Sequence, residues 1–347
     1  MLDAIAAPGR ALVRTALPLA LQPRDQTIGC APLLDDAALA DQYKGKRVLI
    51  VGGTRGIGAA TARVLEAAGG EVTVVGRSAA GASGVAADLS TVAGCLEAAS
   101  QLKQRMQKRS LGFVIFTVGV WPDALEPRTR DNIDKVVALD LLARHIILTR
   151  LADAGALAVG CRVMSVLASC QHYPAAMMDA ESVRRRVGAA LDVSAAPGRH
   201  SLKSAALTLL TTAVAHDAWL HHLGGMLCGR LSPSSSSSPP VRLVATFPGL
   251  LVTDLPHTAL PGWLADCLKL PLALVADSPE QVGRAHASIL ASPSLLRTSE
   301  PVSYHVAPLL EARCAHPLAY DASLGEWVYD LLEGLVARGA AGSEGVE

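Results

Sequence analysis

The chain has little charge, few aromatic rings and no long uninterrupted apolar run. Charged residues make up 18% of its 347, and lysine plus arginine balance aspartate plus glutamate at 31 each. That excludes a basic face for a nucleic-acid backbone and an acidic tail for a basic partner. Phe, Trp and Tyr amount to 3%, too few for base-stacking platforms. No stretch of about 18 uncharged apolar residues occurs, so no transmembrane segment is expected. The most hydrophobic long window, 259–276, is broken by Asp266 and Lys269. The seven cysteines are odd in number and never spaced Cys-x-x-Cys. Neither zinc nor a disulfide framework is indicated, no metal site is expected, and small buried thiols in a reducing compartment such as the cytoplasm are.

Half of the residues are hydrophobic, enough for a sizeable core. Residues 1–43 read as an extension ahead of a domain spanning 44–347. Within 1–24, Arg10, Arg14 and Arg24 face a single acid, Asp3, among Ala and Leu. This resembles a mitochondrial or other organellar transit peptide, although serine is absent and Pro8, Pro18 and Pro23 interrupt it.

Beyond residue 43, short β-type runs alternate with helical stretches. The strand candidates are Arg47–Val51, Glu71–Val75, Gly84–Ala87, Phe113–Thr117, Arg162–Leu167, Val241–Phe247 and Val302–Val306. Most are largely apolar, as strands covered on both faces are. Helices between them imply an α/β fold with one parallel, doubly wound sheet of Rossmann type. A helix over 57–68 ends at Gly69-Gly70. Segments 132–152 and 201–222 are helical, and 229–240, rich in Ser and Pro, reads as a surface loop. A last helix, 323–337, starts on a capping box of Ser323 and Glu326, with one apolar stripe through Leu324, Val328, Leu331 and Leu335. His221 and His222 read as surface residues.

Residues 48–58, Val-Leu-Ile-Val-Gly-Gly-Thr-Arg-Gly-Ile-Gly, carry the functional signal. An apolar strand runs into a glycine turn and then into a helix. Gly52, Gly56 and Gly58 allow a tight turn, close approach to a pyrophosphate and close helix–strand packing. Thr54 and Ile57 complete the turn, and the helix start offers free N–H groups and a positive dipole end. About 20 residues on, where an acid would grip a ribose 2′-OH, stands Arg77. With Arg55 it can chelate a 2′-phosphate, so NADP(H) is favoured over NAD(H).

On these residues the chain resembles the short-chain dehydrogenase/reductase family, over about residues 45–310. The resemblance implies that Asp88 and Leu89 contact the adenine. It places Thr117-Val118-Gly119 where the family has Asn-Ala-Gly, and sets Pro248, Gly249 and Thr253 near the nicotinamide carboxamide. The family's catalytic Asn, Ser, Tyr and Lys align with Asp140, Ala168, His200 and Ser204, so all four types are replaced. His200 is then a candidate acid/base and Ser204 stands in the lysine's place. Lys203, one residue off, is turned by about 100° on a helix. Ser165 or Ser169 could supply a hydroxyl, and Tyr173 could reach in from the insert. Segments 132–152 and 201–222 match the helices that pair across dimers of the family, which implies a homodimer. The segment 254–278, with Trp263, matches the variable substrate lid and hints at an apolar small-molecule substrate. Two readings stand: an NADP(H)-dependent oxidoreductase acting on a carbonyl or alcohol, and a cofactor-binding or structural relative without turnover.

Overall fold

The computed structural model describes residues 27–106, 109–120, 122, 126–167, 178–195, 201–231, 241–249, 276–292, 301–313 and 315–343. Strands are β1 (Thr27–Cys30), β2 (Arg47–Val51), β3 (Glu71–Gly76), β4 (Gly84–Ala86), β5 (Leu111–Phe116), β6 (Leu157–Val166), β7 (Arg242–Phe247), β8 (Val302–Val306) and β9 (Glu311–Arg313). They form one sheet in the order β1-β9-β8-β7-β6-β5-β2-β3-β4. The run from β8 to β4 is parallel, while β9 and β1 add antiparallel edges. The chain leaves β2 toward β3 and later returns to β2's other side with β5. The crevice of such a sheet lies at that reversal, at the carboxyl ends of the strands.

The helices are α1 (Asp36–Tyr43), α2 (Gly56–Ala67), α3 (Val92–Arg105), α4 (Ala143–Asp153), α5 (Ala180–Leu191), α6 (Leu202–Leu231), α7 (Pro279–Ala291) and α8 (Ala322–Ser343). Two apolar layers flank the sheet. One joins α3, α4, α6 and α8; the other joins α1, α2 and α7. Sequence explains the boundaries. Gly69, at φ +80°, closes α2 and its N–H bonds the Glu66 carbonyl, as expected from Gly69-Gly70. Ser278 and Gln281 form a capping box on α7.

Several expectations are corrected. The stretch 27–43 belongs to the domain: β1 pairs with β9, and the Tyr43 hydroxyl donates to the Ala287 carbonyl at 2.7 Å. Polar anchoring reached from both sides hides such an edge from a reading based on apolar runs. α8 starts at Ala322, with the Asp321 carboxylate accepting the Leu324 N–H, so Asp321 rather than Ser323 caps it. α6 runs to Leu231, past the expected end at 222 and into the start of the segment read as a loop. His221 stacks on Tyr304 at 5.6 Å, and His222 packs against Tyr329 at 5.3 Å, so neither is a plain surface residue.

The faces expected to pair across a dimer are covered from within. Every residue of α4 except Asp153 and every residue of 211–220 in α6 is at least half-buried in the lone chain, most of them fully. α8 packs on α6, α3 and α5, and its Glu333 accepts from His145 of α4 at 3.0 Å. An apolar stripe needs one partner, and here the chain's own last helix provides it.

Candidate functional site

A cleft of about 420 Å³ opens at the carboxyl ends of β2 and β5. Its walls are the glycine turn (Gly52, Thr54, Arg55, Gly56, Ile57, Gly58), the end of β3 (Gly76, Arg77), and the segment after β4 (Ala87, Asp88, Leu89, Ser90). Thr117, Val118, Gly119 and Val120 after β5 complete it, with Thr129, Lys135 and Leu139. Gly52 sits at φ +97°, and a Cβ there would lie 2.4 Å from the Val118 nitrogen. A Cβ on Gly58 would lie 2.4 Å from the Thr117 Oγ1 and 2.5 Å from the Gly52 carbonyl oxygen. Only glycine permits these approaches. Gly56 faces open space instead. α2 begins there, and its N-cap, Arg55, gives no side-chain hydrogen bond. The first N–H groups of a 12-residue helix therefore point toward the cleft without a side-chain acceptor, a ready anion site.

Arg55 and Arg77 are exposed on the rim, and neither guanidinium makes a hydrogen bond with a described residue. Asp88 is half-buried. Burial pushes its carboxyl up, but the Ser90 hydroxyl and amide, with Arg77 and Arg130 nearby, outweigh that and hold it below its ordinary value. The cleft thus joins one ionised acceptor to several cations, including Lys135, which sequence reading missed. Lys135 lies 3.9 Å from the Glu126 carboxylate. A dinucleotide fits this donor set, with bare helix N–H groups for a diphosphate and Asp88 for an amino group. Every residue expected to hold the dinucleotide from Gly52 to Gly119 lines the cleft. Pro248 and Gly249 do not line it, although they follow β7 at the same sheet edge. Thr253 lies outside the described residues.

The expected catalytic residues divide differently. His200, Ser169, Ala168, Tyr173 and the lid segment from 254 through Trp263 lie outside the described residues. Lys203 is exposed and Ser204 half-buried, and neither lines the described cleft. Asp140 sits in a π-helical turn, Ala138–Leu142, at 1% exposure. Its Oδ1 makes no hydrogen bond and lies 3.6 Å from the Arg144 guanidinium. Burial pushes its carboxyl up to about 7; Arg144 opposes the rise and Asp134 adds to it.

Ser165 is not a free hydroxyl. It accepts from Arg144 at 2.5 Å and meets His216 Nε2 at 2.7 Å, while His216 Nδ1 meets Asp217 at 3.0 Å. A neutral His216, with the Ser165 hydroxyl donating to Nε2 and Nδ1–H donating to Asp217, satisfies all three groups. Burial agrees, holding His216 below its ordinary value. The distances match a Ser-His-Asp triad, yet all three residues are sealed at 1% exposure or less and none lines the cleft. With no access for a substrate, this is a structural network. Its sequence signal was a charged pair, Asp140 and Arg144, four apart on an otherwise apolar helix.

No protein-family description matches the chain, and no curated protein matches it in sequence. Solved structures do match. A 3-alpha-hydroxysteroid dehydrogenase from Pseudomonas sp., complexed with NADH, is 21% identical with a TM-score of 0.54, covering 75% of this chain and 95% of its own. A short-chain dehydrogenase from Salmonella enterica is 14% identical with a TM-score of 0.52, covering 79% and 98%. The chain has the fold of these dehydrogenases.

Proposed function

We propose that the chain is a short-chain dehydrogenase/reductase-like oxidoreductase that binds NADP(H) and acts on an apolar carbonyl or alcohol with altered catalytic residues. The observation that carries this is the cleft at the sheet's reversal. An uncapped helix end, a glycine turn that leaves room for a diphosphate, and Arg55 and Arg77 on the rim stand together there. The bound dinucleotide would supply or accept the hydride. Gly56 leaves space for the diphosphate, Gly52 and Gly58 let the turn pack closely beneath it, and the N–H groups of α2 bond it. Arg55 and Arg77 clasp the 2′-phosphate, and Asp88 accepts from the adenine amino group. Pro248, Gly249 and Thr253 hold the carboxamide end. His200 exchanges the proton at the substrate oxygen, Ser169 donates to that oxygen, and Ser204 takes the place of the family's lysine. The setting proposed is the cytoplasm, with 1–24 as the segment to test for an organellar address. Among the described residues no helix is long and apolar enough to cross a membrane.

A second reading, a cofactor-binding relative without turnover, is favoured by one observation. Asp140 and Ser204, two of the residues at the catalytic positions, do not line the described cleft. NADPH fluorescence titration followed by turnover on a carbonyl panel, with H200A as control, separates them. Turnover lost in H200A supports the enzyme. Binding with no turnover on any carbonyl supports the second reading.

A further inference from the structure

One buried side chain ties the cleft to the network behind it. Arg144 is 1% exposed and donates to three oxygens: the Val118 carbonyl at 2.6 Å, the Val166 carbonyl at 2.9 Å, and Ser165 Oγ. The paired residues of β5 and β6 end at Phe116 and Ser165, so the two carbonyls lie past the ladder on strands that are parting. Nη2 bonds both carbonyls and fills that gap, while Nη1, fixed beside it in the rigid guanidinium plane, donates to Ser165.

Val118 is held from its other side as well. Its N–H bonds the Val51 carbonyl at 2.9 Å, and the Gly52 Cα lies against it. The glycine turn, the Val118 peptide and Arg144 form one stack. Gly119 is backed by the same group: a Cβ there would lie 2.6 Å from Asp140 Oδ1 and 3.8 Å from the Arg144 guanidinium. A shift of Arg144 must therefore move the wall that Val118 and Gly119 give the cleft.

We infer that Arg144 is a positioning residue for the dinucleotide, holding the Val118–Gly119 wall against the glycine turn without reaching the cleft itself. This rests on the cofactor reading above. A lysine at 144 keeps the charge but cannot span both carbonyls and Ser165 at once.

The test compares wild type, R144K and L39A, in which a buried leucine of α1 remote from the cleft is truncated to lower stability alone. Hydrogen exchange of the peptide containing Val118 is read in the free protein, and NADPH affinity by calorimetry well below each unfolding midpoint. R144K should speed Val118 exchange at least tenfold and weaken NADPH at least tenfold; L39A should leave both within about twofold. Unchanged exchange in R144K overturns the clamp. Faster exchange with unchanged affinity overturns its link to the cofactor. No NADPH binding by wild type overturns the cofactor reading and that link together, while the exchange result still decides the clamp. If R144K does not fold, S165A, which removes one anchor of the guanidinium, replaces it. It should show the same two changes at about threefold, and their absence overturns the inference.

Discussion

Arg77 and Arg144 carry the same guanidinium into opposite surroundings. Arg77 stands exposed at the cleft rim with no hydrogen bond to a described residue, beside a helix end that lacks a side-chain cap. Arg144 is sealed in the core and bonded to two carbonyls and a serine. The rim leaves donors unsatisfied in one direction, as a site for an external anion does. The core meets the two terminal nitrogens of Arg144 from within and leaves only its Nε without a partner among the described residues, as a structural network does. Residue type alone says nothing of function here; the partners present in the chain decide it.

The largest expected effect comes from acid and acts on the core. Burial holds His286 down to about 3 and His305 down to about 4, and lowers His216 as well. Below about pH 6.5 the unfolded chain takes up protons that these folded imidazoles refuse, so stability falls as pH falls. Asp140 acts in the opposite sense. Its folded value near 7 lies above its unfolded one, so its favourable contribution is present at low pH and is lost as pH rises from about 4 to 7. In D140N, urea unfolding should therefore show a loss of more than about 5 kcal/mol between pH 6.5 and 4, since each proton refused across one pH unit costs about 1.4 kcal/mol. Wild type should show a shallower slope. Parallel slopes would break the contrast between sealed and open regions.

At pH 8 the same variant should be about 1–3 kcal/mol more stable than wild type, because it removes a charge whose burial outweighs the attraction of Arg144. No gain there means that Asp140 is neutral or hydrated in the folded chain. Light scattering should give the mass of one chain, 35.9 kDa, since α8 packs on α6 and meets His145 of α4 through Glu333 and Tyr329. A doubled mass would require another face or a displaced α8. The smallest effect is expected from K203A. Lys203 is exposed and away from the described cleft, so stability and NADPH affinity should stay within about 0.5 kcal/mol of wild type.

The first half of the sheet was legible because its strands are continuous apolar runs and its glycines are sterically obligatory. Gly52 and Gly58 could not carry a Cβ, and the sequence displays that constraint directly. The edge strands β1 and β9 were not legible. They are short and lack an apolar pattern, so pairing with each other, not composition, creates them. The network around Arg144 was hidden for a related reason. Asp140, Ser165 and His216 lie up to 76 residues apart in numbering and on three different elements, so only the packed sheet brings them together. The family resemblance sets Asp140 at a catalytic position and leaves Ser165 as a free hydroxyl, yet burial turns both inward.

The proposed NADP(H) site requires that the cleft hold a dinucleotide bearing a 2′-phosphate. Calorimetric titration of wild type and R77A with NADPH and with NADH tests it most directly. Wild type should bind NADPH at least tenfold more tightly than NADH, and R77A should lose about tenfold to a hundredfold for NADPH alone, the range expected for charge-assisted bonds to one phosphate. No heat with either dinucleotide, or equal affinities that R77A leaves unchanged, would contradict the account.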